Sequence, residues 1–215
     1  MSAWPLFELV VTTPRLSLRI PQDDELMLLS DLACGNVVDD QNHRFLGGWT
    51  KLEAPEFQHS FLKYQWQARS QISPGDWHLL FAIFPEGQAE PAGMMGLTGS
   101  QFIELRKVLT GSWVLLDRQG EGLGKEARAA ALHLAFEGLG ANEAQTQAMW
   151  PDNKASNKVS LSLGYDLNGN DVVMSGEGPV EVQNYRLQRE RFVGRDDIKI
   201  TGLKQCLPLL GLDAC

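Results

Sequence analysis

Asp117 to Phe136 reads DRQGEGLGKEARAAALHLAF, and it follows the apolar run Ser112-Trp-Val-Leu-Leu116. The apolar run has the character of a strand and the alanine-rich run that of a helix. Gly120, Gly122 and Gly124 stand between them. Glycine at the mouth of a helix is unfavourable, because it loses more backbone freedom on folding than any other residue. What it offers is access. The first N–H groups of a helix are unpaired and carry the positive end of its dipole, and a turn without side chains lets an anion reach them.

Working outward, strand and helix signals alternate. Arg15-Leu-Ser-Leu-Arg-Ile20 alternates polar and apolar, as a half-buried strand does. Asp23-Asp-Glu25 then opens a helix to about Ala33, its carboxylates where the helix dipole favours them. From Glu56 to Ile72, Phe57, Phe61, Tyr64, Ala68 and Ile72 trace one helical face. Trp77–Phe84, Ala92–Thr98 and Val108–Leu116 read as an antiparallel meander of strands. After the glycine turn come a helix from Gly122 to Leu139 and a strand at Ala144–Met149. A helix capped by Pro151-Asp-Asn153 runs to Leu163, and strands follow at Val172–Met174 and Asn184–Leu187. The order β-α-α-β-β-β-α-β-α-β-β predicts an α/β fold with a mixed sheet and helices on both faces. Residues 1–192 form the domain. Residues 193–215 are a C-terminal extension, an added edge strand or a dimer contact.

Composition narrows the class. A chain of 215 residues with 43% hydrophobic residues buries a sizeable core. Its net charge of −8 argues against a nucleic-acid surface. No apolar run reaches membrane-helix length, and Met1–Leu16 lacks the pattern of a cleaved signal. Cys34, Cys206 and Cys215 are scattered thiols with no CxxC spacing, which fits a reducing, cytoplasmic setting. His43, His59, His78 and His133 show no metal-ligand spacing, so no metal site is expected.

Three phosphate-binding turns compete for the glycines. A Walker loop requires G-x-x-x-x-G-K-[ST]; Gly120 to Gly124 is one residue short, and Glu126 follows Lys125. A dinucleotide fingerprint requires G-x-G-x-x-G, and Lys125 occupies its third glycine. The pattern Q/R-x-x-G-x-G/A remains, matched by Gln119-Gly-Glu-Gly122-Leu-Gly124. Asn153-Lys-Ala-Ser156-Asn-Lys-Val159 leads to Leu163-Gly-Tyr165 downstream, and Thr13-Pro-Arg15-Leu-Ser-Leu-Arg19 lies near the start. Together these resemble the GNAT family of N-acetyltransferases, in particular the branch that acetylates N-termini of ribosomal proteins. The resemblance covers everything except the C-terminal extension.

The resemblance implies a single, mostly antiparallel sheet splayed at an acyl-CoA site. A backbone N–H near Val114 or Leu115 would face the thioester carbonyl. Leu116 and the amides of Gln119, Gly120, Glu121, Gly122, Leu123, Gly124 and Lys125 would hold pantetheine and pyrophosphate. Asn153 would bond the pantetheine while also capping its helix. The family often protonates the departing thiolate with a Tyr seven residues after the Asn, but Ser160 stands there. The N-terminal-acylating branch uses a Ser three residues after it, which makes Ser156 the candidate general acid and leaves Tyr165 an outside one. A catalytic Glu is often found at the position of Leu109, which accepts no proton. Glu104 is the nearest carboxylate, and Asp117 or His78 would act through water; the base is unassigned. Trp49, Trp66 and Trp77, with Phe45 and Phe57, read as packed core or as the lining of an acceptor pocket.

The reaction implied is transfer of an acetyl or succinyl group from acyl-CoA, a co-substrate rather than a tightly bound cofactor. The acceptor would be the amine of a protein N-terminus, a lysine or a small molecule. Neither nucleic acid nor membrane is expected as a partner, and a homo-oligomer is compatible. A non-catalytic acyl-CoA sensor of the same fold is the alternative, motivated by Leu109.

Overall fold

The computed structural model describes residues 3–38, 48–149, 153–175 and 178–212. Strands β1 (Val10–Thr12) and β2 (Leu16–Arg19) are followed by helices α1 (Asp23–Ala33) and α2 (Glu56–Ser70). β3 (Trp77–Pro85), β4 (Gly93–Gly99), the one-turn helix α3 (Phe102–Leu105) and β5 (Lys107–Val114) form the meander. The glycine turn leads into α4 (Leu123–His133), β6 (Glu143–Met149) and α5 (Lys154–Ser162). The hairpin β7 (Asp166–Ser175) and β8 (Gly178–Gln188), then β9 (Lys199–Thr201) and α6 (Leu203–Cys206), complete the chain. Among the described residues, one sheet of nine strands runs β7-β8-β6-β5-β4-β3-β2-β1-β9. β5 and β6 pair in parallel; every other pairing is antiparallel.

The sequence explains why the two faces fill. Leu79, Phe81 and Ile83 of β3 enter the core beneath α4, whereas Ala82 and Phe84 enter the cluster beneath α1 and α2. A central strand covered on both sides needs apolar residues at successive positions, which is what Leu79–Phe84 supplies. α1 buries Leu26, Leu29 and Ala33, and α2 buries Phe57, Phe61 and Ala68, the three-and-four spacing of one helical face. At the start of α1, the Gln22 N–H donates to Glu25 Oε2 at 2.8 Å, and Arg19 holds the same carboxylate.

Several boundaries differ from those read in the sequence. The α-helical part of α4 ends at His133, and Leu134–Gly138 continue as one π turn. β7 is far longer than Val172–Met174 because its solvent-facing residues carry no hydrophobic alternation. β1 and β9 are only three residues each, too short for a period to show. Beyond residue 193, β9 pairs with β1, and Ile198, Cys206, Leu210 and Leu212 join the α4-side core. Gly202 docks against the Glu8 carbonyl so closely that an added Cβ would lie 1.9 Å from that oxygen. No helix among the described residues is long and apolar enough to cross a membrane.

Candidate active site

The parallel ladder between β5 and β6 stops at Thr110 opposite Thr146. β5 nevertheless continues along β4 to Val114, and β6 continues along β8 to Met149. Past Thr110 and Thr146 the two strands therefore part, and the sheet opens as a fork. Its floor is tied by hydroxyls. Thr146 Oγ1 donates to the Thr110 carbonyl at 2.9 Å, Thr110 Oγ1 donates to the Gln145 carbonyl at 3.1 Å, and the Tyr165 hydroxyl lies 3.1 Å from Thr110 Oγ1.

One hydrogen bond fixes which amides look into the fork. The Leu115 N–H donates to the Ala92 carbonyl at 2.9 Å, so it points toward β4 and is occupied. Peptide groups alternate direction along a strand. Trp113 and Gly111 therefore also face β4, and Ser112 and Val114 face the opposite way, past the last paired residue. The Val114 carbonyl agrees, since it accepts Gln119 Nε2 at 3.1 Å rather than a β4 group. Of the two amides expected for a thioester carbonyl, the geometry leaves that of Val114 facing the fork, joined by that of Ser112. The Leu116 N–H is also engaged, donating to the Asn36 carbonyl at 2.7 Å.

The lip then turns into the glycine loop. Gly120 and Gly122 adopt positive φ (84° and 83°), a conformation that side chains disfavour, and Gly122 caps α4. The Gln119 side chain is engaged within the protein: its Nε2 bridges the Val37 and Val114 carbonyls, both at 3.1 Å, and braces the turn. Glu121 lends its carboxylate to Arg118, at 2.9 and 3.1 Å. Lys125 is exposed in the first turn of α4. Arg15 was read only as part of the first-strand pattern, yet it donates to the Glu121 carbonyl at 2.6 Å and lies against Gly122. Two cations, Arg15 and Lys125, thus flank a helix N-terminus whose capping residue, Gly122, and second residue, Gly124, carry no side chain.

Across the fork, Asn153 caps α5 by accepting the Ser156 N–H at 3.2 Å; Pro151 and Asp152 lie outside the described residues. Ser156 occupies the first turn, half-buried. Ser160 is fully buried and donates to the Ser156 carbonyl at 3.1 Å. Tyr165 is buried at the fork floor. Burial pushes its phenol above the usual value, with Arg128 and Thr110 pulling the other way, so it stays protonated.

Sequence reasoning missed Arg128. It is 4% exposed, its Nη1 donates to Ser160 Oγ at 3.0 Å, and its Nη2 reaches Ser112 Oγ at 3.4 Å. Its Nε has no partner among the described residues. The signal was present: Ala127 to Phe136 is apolar on nearly every side, which marks a helix buried all round, and an Arg inside it is buried too.

On the α2 side of the sheet, His78, Thr98 and Leu109 form a row across β3, β4 and β5. His78 Nε2 lies 3.0 Å from where a Cβ on Gly96 would sit, and the neighbouring Gly111 faces open space. Burial lowers the His78 pKa and favours neutral imidazole. The ring contacts the edge of Tyr64. Glu104 sits in α3, at the closed end of the β5–β6 ladder, and Asp117 bonds Asn36 at 3.2 Å beside the glycine turn. The aromatic candidates divide. Trp49 and Phe57 cluster with Phe61 and Trp113 beside the lip. Trp77 packs on Phe102 across the sheet, and Trp66 is exposed with its Nε1 donating to Asp23. His59 is exposed on α2, and His133 is at the end of α4; His43 and Phe45 lie outside the described residues.

Comparisons with known proteins bear on the family and the fold. A family model for the acetyltransferase (GNAT) domain matches residues 15–166. RimJ of Mycobacterium smegmatis, solved in complex with CoA-disulfide, is 16% identical, with 98% of this chain and 99% of that one covered at a TM-score of 0.71. RimL, the ribosomal L7/L12 alpha-N-protein acetyltransferase solved with coenzyme A, is 19% identical over 83% of this chain and 97% of its own, TM-score 0.66. A putative ribosomal-protein-serine acetyltransferase from Vibrio cholerae is 18% identical over 83% and 97%, TM-score 0.64.

Proposed function

The chain belongs to the GNAT acetyltransferase family and is an acyl-transferring enzyme, and on that premise we propose that it moves an acetyl or succinyl group from acyl-CoA to a primary amine by direct attack in a ternary complex. The observation that carries this reading is the fork: two lip amides, Ser112 and Val114, open into it and lead without interruption to the glycine loop. The pyrophosphate rests on the amides from Gly120 to Lys125 with Arg15 and Lys125 as counter-charges, the interaction a helix N-terminus favours. The pantetheine follows the lip, and Asn153 borders it from α5.

Chemistry then needs alignment, one oxyanion donor and two proton movements. Holding amine and thioester together supplies much of the rate by proximity. The Val114 amide stabilises the tetrahedral oxyanion, and Ser156 protonates the departing thiolate. His78 takes the place of the missing Glu: it shares the row of Leu109, is neutral, and reaches the amine through one water. The Leu109–Gly111–Trp113 side of β5 and the Trp49 cluster receive the acceptor, a protein N-terminus, a lysine or a small amine. A cytoplasmic enzyme acting as monomer or homo-oligomer fits the same reading.

Calorimetric titration with CoA, acetyl-CoA and succinyl-CoA tests it; absence of binding to all three refutes the proposal. Binding without thiol release across a broad amine panel would favour a sensor instead.

A further inference from the structure

Arg128 is anomalous on physical grounds. Removing a guanidinium from water is unfavourable unless a carboxylate or several good acceptors replace the solvent. Arg128 is almost fully buried and makes no ion pair among the described residues. Its polar neighbours are two serine hydroxyls and, through space, the Tyr165 phenol. Its Nε has no acceptor among the described residues. An arginine does not escape by losing its proton. The side chain is therefore a desolvated cation short of an anion.

Its position says where that anion comes from. Ser112 is the second residue beyond the end of the β5–β6 ladder, and Ser160 is on α5, the opposite wall. The guanidinium spans the deep end of the fork, where the acyl end of a pantetheine arm laid along the lip would point. It begins six residues into the helix from Gly122, about 9 Å along the axis at 1.5 Å per residue, so the loop that takes the pyrophosphate is a separate site. Trp113 packs toward α2, and Ser112, next along β5, meets Arg128 on the α4 side. The cation therefore lies across the sheet from the face assigned to the amine.

Resting on the acyl-CoA reading above, we propose that Arg128, with the Ser112 and Ser160 hydroxyls, binds the terminal carboxylate of a dicarboxylic acyl donor of the succinyl class. The step is balanced without further reactants. The amine nitrogen forms a bond to the thioester carbon, and the C–S bond breaks. One proton leaves the nitrogen, one reaches the sulfur, and the carboxylate passes unchanged into the amide product. Arg128 is a specificity group here.

The test compares acetyl-, butyryl- and succinyl-CoA with one amine acceptor. Butyryl has the length of succinyl without its charge. The expected result is a kcat/KM for succinyl-CoA roughly 10- to 100-fold above that for butyryl-CoA, the size of discrimination a charged, buried hydrogen-bond site gives. Arg128→Met should abolish that ratio while leaving the Kd for CoA itself unchanged. It should also retain its melting temperature, because an apolar side chain replaces an unpaired buried cation. Equal use of butyryl-CoA and succinyl-CoA by the wild-type enzyme overturns the inference, even where the variant fails to fold. So does a variant that keeps the donor ratio but loses discrimination between an acceptor carboxylate and its amide. If neither CoA nor any ester binds, the acyl-CoA reading itself falls; CoA binding with no donor preference defeats this inference alone.

Discussion

The two arms that part at Thr110 and Thr146 are made of different material. The β5 arm is packed on both sides: Trp113 lies against Trp49 and Phe61 on one face with Leu115 buried beside it, and Val114 packs against the α4-side core on the other. The arm of β6, β8 and β7 ends in a strand exposed at most positions, with Leu167, Val172 and Met174 between 57% and 73% exposed. Amides that must meet a developing oxyanion have to be held still, and only packing from two sides holds a strand end. The other arm has one neighbour less and tolerates change.

That contrast is open to attack at its strongest point first. Gly93→Ala on β4 would set a Cβ 2.2 Å from the Trp113 carbonyl, so the lip has to move. We expect a loss of about 3 kcal/mol, measured by chemical denaturation; an unchanged midpoint would mean the β5 arm is softer than described. Gly122→Asp introduces a carboxylate at a φ of 83° against the anion site. CoA affinity should fall roughly 100-fold, about 2.7 kcal/mol, and retained affinity would displace the loop from the site. Ser156→Ala should lower kcat on the order of 100-fold with the CoA Kd unchanged; an intact kcat removes it as the acid.

His78 gives a pH test. Its pKa lies below the ordinary 6.5 because burial disfavours the charged ring, and only the neutral form accepts a proton. Of the other ionisable side chains, Tyr64 and Arg69 on α2 approach it. Activity should therefore persist through pH 6.5 and fall only as pH drops past the lowered value. In His78→Gln, kcat/KM should be lower roughly 10-fold and that acid limb should vanish; a limb that survives assigns the base elsewhere. The smallest effect belongs to the exposed arm: Val172→Ser should change stability by less than about 0.5 kcal/mol and leave turnover alone.

The sequence was most readable where a local rule acts. Carboxylates at Asp23 to Glu25 and the offsets from Phe57 to Ala68 placed α1 and α2 because both signals span only a few turns. The glycine loop was readable for the same reason. The fork was not, because it depends on where two strands 36 residues apart stop pairing, as at Thr110 and Thr146. Gln119 had the right identity for the family pattern, yet its side chain braces carbonyls, a role that only the fold of Val37 against Val114 reveals. The burial of Arg128 could be read from the apolar run around it, but its partners could not, because no local pattern reports that α5 brings Ser160 to meet it.

The pairing of β1 with β9 governs the order in which the molecule is completed. Val10 sits opposite Thr201, and Thr12 opposite Lys199. At about 5–20 residues per second of synthesis, the first strand waits on the order of ten seconds or more for its outer partner. Throughout that interval, the Val10–Thr12 edge is an open template for any other extended chain. A ribosome stalled before Lys199 would thus release a polypeptide that holds both arms of the fork and still carries an adhesive border.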